Sequence, residues 1–206
     1  MDPVDRKRPL SALLADIGDD PDPVVTIGEI VRRLGRRSFG ALLFIFAAPN
    51  WLPLPPGSST FLAAPLILLA PQIALGIHGP WLPRFVDRRT LRRKDLAGAL
   101  SKLIPTLERI EKVSRPRLIF LFGPVGDRLI GLTVTLLSLV LLLPIFLGNM
   151  APAAAIAAFG LALIQRDGVL ALIGYAIAGV SVGLLVVGWN VAVAFIEHIL
   201  RVVGIA

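Results

Sequence analysis

The apolar positions of this chain run in long unbroken blocks, not in the short alternations of a soluble fold. No Asp, Glu, Lys or Arg occurs in residues 38–83, 129–165 or 168–196, stretches of 46, 37 and 29 residues. A helix crossing a hydrocarbon core of about 30 Å needs roughly 20 apolar residues. All three blocks are long enough, so the chain is expected to be an all-α, multi-pass integral membrane protein. The last block predicts one complete tilted helix. The first two are interrupted by proline and glycine, and each predicts a broken or re-entrant helical hairpin.

The two interrupted blocks repeat one another at a shift of 91 residues. Gly35-Arg36-Arg37-Ser38-Phe39-Gly40 aligns with Gly126-Asp127-Arg128-Leu129-Ile130-Gly131. Twelve uncharged residues follow in each copy, then Pro53 and Gly57 in the first and Pro144 and Gly148 in the second. This spacing predicts a duplicated hairpin. Pro53, Pro55, Pro56 and Gly57 form one tip, and Pro144 and Gly148 the other, because proline removes backbone donors and glycine permits a turn. A helix of residues 40–52 leads into the first tip. A second, starting at Ser58, leaves it and is bent or shortened by Pro65 and Pro71. Residues 129–143 and 151–165 do the same in the second copy. Charge placement favours parallel copies, whereas broken hairpins in duplicated membrane proteins often form inverted repeats. The expectation leans to the inverted arrangement and leaves the parallel one open.

The polar residues complete the organisation. The chain carries a net charge of +7. Seven basic residues precede the first block, twelve lie between Arg84 and Arg128, and only Arg166 and Arg201 fall elsewhere. By the positive-inside rule the N-terminus and the central basic loop face the cytoplasm, where they also attract anionic lipid. No stacking aromatics are interleaved with them, so nucleic acid is not expected. Residues 1–23 lack the apolar centre of a cleavable signal peptide. Leu96, Leu100, Leu103, Leu107 and Ile110 predict an amphipathic helix on the membrane or the bundle. Val25, Ile27, Ile30, Val31 and Leu34 predict a shorter one. The resulting segments are 1–34, N-terminal and cytoplasmic; 35–76, first hairpin; 77–125, basic loop; 126–167, second hairpin; and 168–206, C-terminal transmembrane helix. Trp51, Trp81 and Trp189 are candidate interface anchors. In the last helix, Gly179 and Gly183 allow close helix approach, within the monomer or in a homodimer.

Several of these residues also carry a family likeness. The run Pro49-Asn50-Trp51-Leu52-Pro53-Leu54-Pro55-Pro56-Gly57 resembles a signature of the ExoD family of bacterial exopolysaccharide-synthesis proteins. So do Pro80-Trp81-Leu82-Pro83, Arg115-Pro116-Arg117, Gly148-Asn149 and Arg166-Asp167-Gly168. The resemblance extends from about Ser11 into the final helix. It implies a bacterial inner-membrane protein linked to exopolysaccharide production, with that machinery as a partner, and it supplies no catalytic residues.

Polar groups inside apolar segments are costly and therefore mark sites. Asn50, Ser58, Ser59, Thr60, Gln72, Asn149 and Gln165 are the candidate substrate-binding residues. If the tips meet, helix ends there would offer oriented N–H and C=O groups to a small solute or ion, as in secondary transporters. The competing role of the same groups is to cap helices. Arg37, Arg128, Arg166 and Asp167 are candidate gating or anchoring residues. With no cysteine, two histidines and no carboxylate inside the apolar blocks, neither metal, cofactor nor enzymatic chemistry is expected. Asp19, Asp20 and Asp22, among prolines before a helix, are read as caps. A transporter or channel-like protein predicts a polar cavity between the tips. The alternative, a scaffold or regulatory subunit of polysaccharide assembly, predicts dry tips.

Overall fold

In this computed structural model the described residues are 9–51, 58–113, 117–143 and 148–203. The charge-free blocks form the helices. In the first hairpin α3 (Arg37–Ala47) continues as a 3₁₀ turn, Ala48–Trp51, and α4 (Ser58–Ala74) follows. Helix α4 remains continuous through Pro65 and Pro71. In the second hairpin α7 (Pro124–Leu142) opens with proline in its first turn, where no donor is lost, and α8 (Met150–Gln165) follows. The final helix, α9 (Gly168–Val203), has 36 residues and spans about 54 Å, more than twice the length of α8.

The hairpins pair crosswise. Helix α3 lies against α8, and α4 lies against α7. Glycine sets both approaches. A Cβ on Gly40 would stand 2.5 Å from the Gly160 carbonyl oxygen, and one on Gly131 would stand 2.3 Å from the Ala74 nitrogen. At both contacts one backbone rests directly on another. These contacts join the start of α3 to the end of α8, and the start of α7 to the end of α4. At the other end, Thr60 in α4 meets the last turn of α7. The hairpins therefore run parallel, with both tips at one end. The expected inverted arrangement is not found, because an inverted pair would bring a tip beside a base. The shared core holds Leu43, Leu66, Leu69, Ile130, Val134, Leu141, Ile156 and Phe159.

A second core caps the base. Helices α1 (Leu10–Gly18), α2 (Ile27–Leu34), the single turn α5 (Arg84–Asp87) and α6 (Arg93–Val113) surround strands β1 (Val24–Thr26) and β2 (Thr90–Arg92). The strands pair antiparallel with Val25 opposite Leu91, so the described fold is not purely helical. Val25, read from the sequence as helical, is a buried strand residue, and α2 starts two residues later at the Thr26 cap, whose hydroxyl accepts from the Glu29 N–H at 3.1 Å. The period was misassigned because a three-residue strand is too short to show its alternation. Helix α1 was not expected. Leu10, Leu14 and Ile17 bury its face together with Leu100 of α6. The amphipathic α6 thus packs on α1.

One buried cation ties the cap together. Arg93 donates to the Ile17, Asp22 and Val24 carbonyls, and its guanidinium lies 3.6 Å from Asp20. Five donors in a fixed fork suit this task, and lysine could not reproduce it. Asp20 also accepts from Arg33 at 2.7 Å and from the Asp22 N–H. Arg33 above all, and the Asp22 amide after it, hold the Asp20 carboxyl below the usual carboxylate range.

Gly40→Ala and Gly131→Ala are expected to destabilise the bundle by about 1–3 kcal/mol each. Gly179→Ala, where a Cβ meets nothing within 4 Å, should change stability by less than about 0.5 kcal/mol. Unfolding in detergent checks the ranking. Because the folded-state pKa of Asp20 is lowered, its contribution is present above the unfolded value of about 4 and is lost as pH falls through the folded one. Asp20→Asn should therefore flatten the acid dependence of cap unfolding below about pH 4, as read by limited proteolysis.

Candidate functional site

Polar side chains cap the described helix ends that flank the hairpin tips. The Asn149 amide donates to the Leu143 carbonyl at 3.0 Å and to that of Leu141 at 3.4 Å. The Thr60 hydroxyl donates to the Leu142 carbonyl at 3.3 Å. Together they satisfy the carbonyls left open at the end of α7. The Asn50 amide donates back to Phe46 at 3.0 Å. Asn50 and Asn149 are both buried, and the Oδ1 of each has no hydrogen-bond partner. Ser59 is half-buried at the start of α4, and Gly148 sits in the turn before α8. Pro53, Pro55, Pro56, Gly57 and Pro144 lie outside the described residues, as does the side chain of Ser58.

The two glutamines lie near the base, away from the tips. Gln72 accepts from the Trp81 N–H at 2.6 Å and donates to the carbonyls of Trp81 and Leu68. It is a strut that holds the 77–83 segment against α4. Trp81 and Trp189 are strongly exposed, at 61% and 72%, as interface anchors would be. Gln165 ends α8 with a buried Nε2 that lacks a partner.

The base carries a cavity of about 620 Å³ between the cap and the bundle. Arg36, Arg37, Arg166, His78 and Asp127 line it, with Phe39, Ile73, Ile77 and Leu163 as apolar wall. Arg37 opens α3, while Arg166 stands just past α8 in a left-handed conformation. Five helix ends meet here, the amino ends of α3 and α7 and the carboxyl ends of α2, α4 and α8, so their dipoles partly cancel and side chains set the potential. Among the lining residues guanidiniums outnumber carboxylates, an excess of positive charge that favours an anion. Asp127 is buried in the first turn of α7, and its Oδ2 lies 3.2 Å from Arg36 Nη2. Its Oδ1 is buried and has no hydrogen-bond partner.

Of the four candidate gating residues, Arg37 and Arg166 reach this cavity. Arg128 lies over Gly76, which ends α4 at φ +77°. Asp167 is buried and accepts from the Val169 N–H at 2.9 Å, capping α9. Arg36, Asp127 and His78 were not selected from the sequence. A signal for two of them was present, since Arg36 and Asp127 occupy the same variable position of the G-x-R-x-x-G pattern with opposite charge.

Comparison with known proteins is consistent across most of the chain. A family model described as "Exopolysaccharide synthesis, ExoD" matches residues 10–187. Protein ExoD of Rhizobium meliloti (strain 1021) is 31% identical over 171 residues, covering 81% of this chain and 70% of that protein. An uncharacterized protein of Synechocystis, slr1875, is 30% identical over 171 residues, covering 82% of this chain and 80% of its own length. No solved structure matches.

Removing one partner of the Arg36–Asp127 pair strands a buried carboxylate. Arg36→Ala should cost about 1–3 kcal/mol. Exchanging the charges, Arg36→Asp with Asp127→Arg, should recover more than half of the loss of either single substitution. A double-mutant cycle on thermal unfolding measures the coupling.

Proposed function

Because the chain belongs to the ExoD family of exopolysaccharide-synthesis proteins, we propose that it is a multi-pass inner-membrane protein that binds an anionic precursor of exopolysaccharide assembly in its base cavity and passes it along the bundle toward the tips. It is read as a non-enzymatic carrier or channel-like protein, and its two hairpins as copies from an ancestral duplication.

Membrane embedding is supported by two helices. Pro124–Leu142 and Gly168–Val191 are long and apolar enough to cross, with mean hydropathies of 1.8 and 2.4. Their outward faces remain apolar. Leu129, Leu132, Leu136 and Leu139 on α7 recur at helical spacing and are about half exposed, Leu136 at 58%. In water such a stripe would be an aggregation surface, and in lipid it is solvated. The cap carries most of the basic residues, which by the positive-inside rule supports a cytoplasmic position for it and for the base cavity. Precursors made in the cytoplasm would arrive there.

The observation that carries the reading is the cluster of Arg36, Arg37 and Arg166 around one cavity at the base. It moves the expected site from the tips, where the described asparagines cap helices, to the opposite end. The scaffold reading draws on α9. Gly179, Gly183 and Gly188 face open space, and Leu184, Val187 and Val191 are exposed. That face suits a partner helix from the assembly machinery or a second copy of the chain.

Reconstitution into vesicles with a fluorescent polyprenyl phosphate tests the carrier reading. The wild type should speed its transfer between leaflets, and Arg37→Gln with Arg166→Gln should slow transfer by at least about tenfold, roughly 1.4 kcal/mol. Transfer no faster than in protein-free vesicles would sink the carrier role and leave the scaffold.

A further inference from the structure

Asp127 gives the base cavity a second chemical character. A carboxylate in an anion-binding pocket lowers the local potential and repels a fully ionised ligand. Here the carboxylate is kept, is buried, and spends only one oxygen on Arg36. The other oxygen faces a cost, because a buried charged acceptor without a donor loses its hydration with nothing in return. A fully ionised phosphate ester only accepts hydrogen bonds and cannot relieve it, and inorganic phosphate offers no more than its own P–OH. The cavity thus holds two stations. One is cationic, on Arg37 and Arg166, both half-buried or exposed at the edge. The other is an acceptor set deeper, at Asp127. A volume of about 620 Å³ lies within the range of small-molecule sites.

We infer that the cavity recognises a glycosyl phosphate, with the phosphate on Arg37 and Arg166 and a sugar hydroxyl donating to Asp127 Oδ1. This rests on the proposed anion-binding reading of the same cavity and adds the sugar to it. Sugar hydroxyls are donors that a fully ionised phosphate ester lacks, and a carboxylate is among the strongest acceptors for them. The apolar wall of Phe39, Ile73 and Leu163 accommodates the carbon face of the ring or the first units of a lipid tail. Arg36, 3.2 Å away, holds the carboxylate in place and so acts as a positioning residue.

Binding measured on the full chain in detergent separates the two claims. The probes are a polyprenyl phosphate, the same lipid carrying a hexose on its phosphate, and a water-soluble hexose 1-phosphate. One charge-assisted hydrogen bond corresponds to about a tenfold preference, so the wild type should bind the glycosylated lipid about tenfold more tightly than the bare one. Asp127→Asn should abolish that preference while binding the bare lipid as tightly as the wild type or more so, because a repelling charge is gone. The retained affinity also shows that the variant is folded. Hexose 1-phosphate binding as tightly as the glycosylated lipid would support the inference with a soluble source. Weaker binding of it would support a lipid-linked one. Equal affinity of the wild type for the two lipids, or a tenfold preference that survives Asp127→Asn, would overturn the sugar assignment and leave the anion site standing. Failure of all three probes to bind would overturn both.

Discussion

Everything in this fold follows from how closely two pairs of helices approach. At Gly40 and Gly160, and again where Gly131 meets α4, no side chain separates one backbone from the next. In the membrane-embedded reading proposed above, the surroundings offer little hydrophobic drive for helix association, so short-range contact must supply the attraction, and small residues supply the contact. The consequence is geometric. With α3 held against α8 and α4 against α7 near the base, the hairpins have only one way to run. Their tips fall together, their charged ends fall together, and the cavity forms where the four ends diverge beneath the cap. The Arg36–Asp127 pair depends on the same approach, since it joins the two hairpins at the level where the glycines set their separation.

Much of this was legible in the chain and some was not. The helices of the hairpins and α9 could be read because absence of charge over tens of residues is a one-dimensional signal. The period of Leu96 and Leu100 predicted α6, although its partner was unforeseen. Helix α1 was not predicted although Leu10, Leu14 and Ile17 recur at helical spacing, because its nine residues hold few turns and lie within a mixed-charge, proline-containing segment. Strands β1 and β2 could not be seen, since three residues carry no usable alternation. The relative direction of the hairpins was misjudged for a different reason. Hydropathy records which residues avoid water and says nothing about which helix faces which.

The site shows the same division. Burial costs pointed to Asn50, Gln72 and Asn149 as polar residues needing an explanation, and the explanation is largely local. Their amides close helix ends and hold a neighbouring segment. Arg37 and Arg166 were selected and do reach the cavity. Arg36 and Asp127 were passed over because each is unremarkable alone, one among many basic residues beside an apolar block and one acid near a helix start. Their meaning lies in being matched at a spacing of 91 residues, and only the fold turns that correspondence into a contact.

That contact has a consequence for symmetry. In a dimer of identical hairpins related by a two-fold axis, a residue lying on the axis meets its own copy. Two arginines or two aspartates would then face one another, and such a centre must repel, stay neutral or recruit a counter-ion. Two hairpins carried on one chain are released from this rule, because the matched positions can hold different residues. Arg36 and Asp127 use that freedom at the one place where it matters most. A single polypeptide can have a centre that is both paired and chemically lopsided, with a guanidinium on one side and a carboxylate on the other.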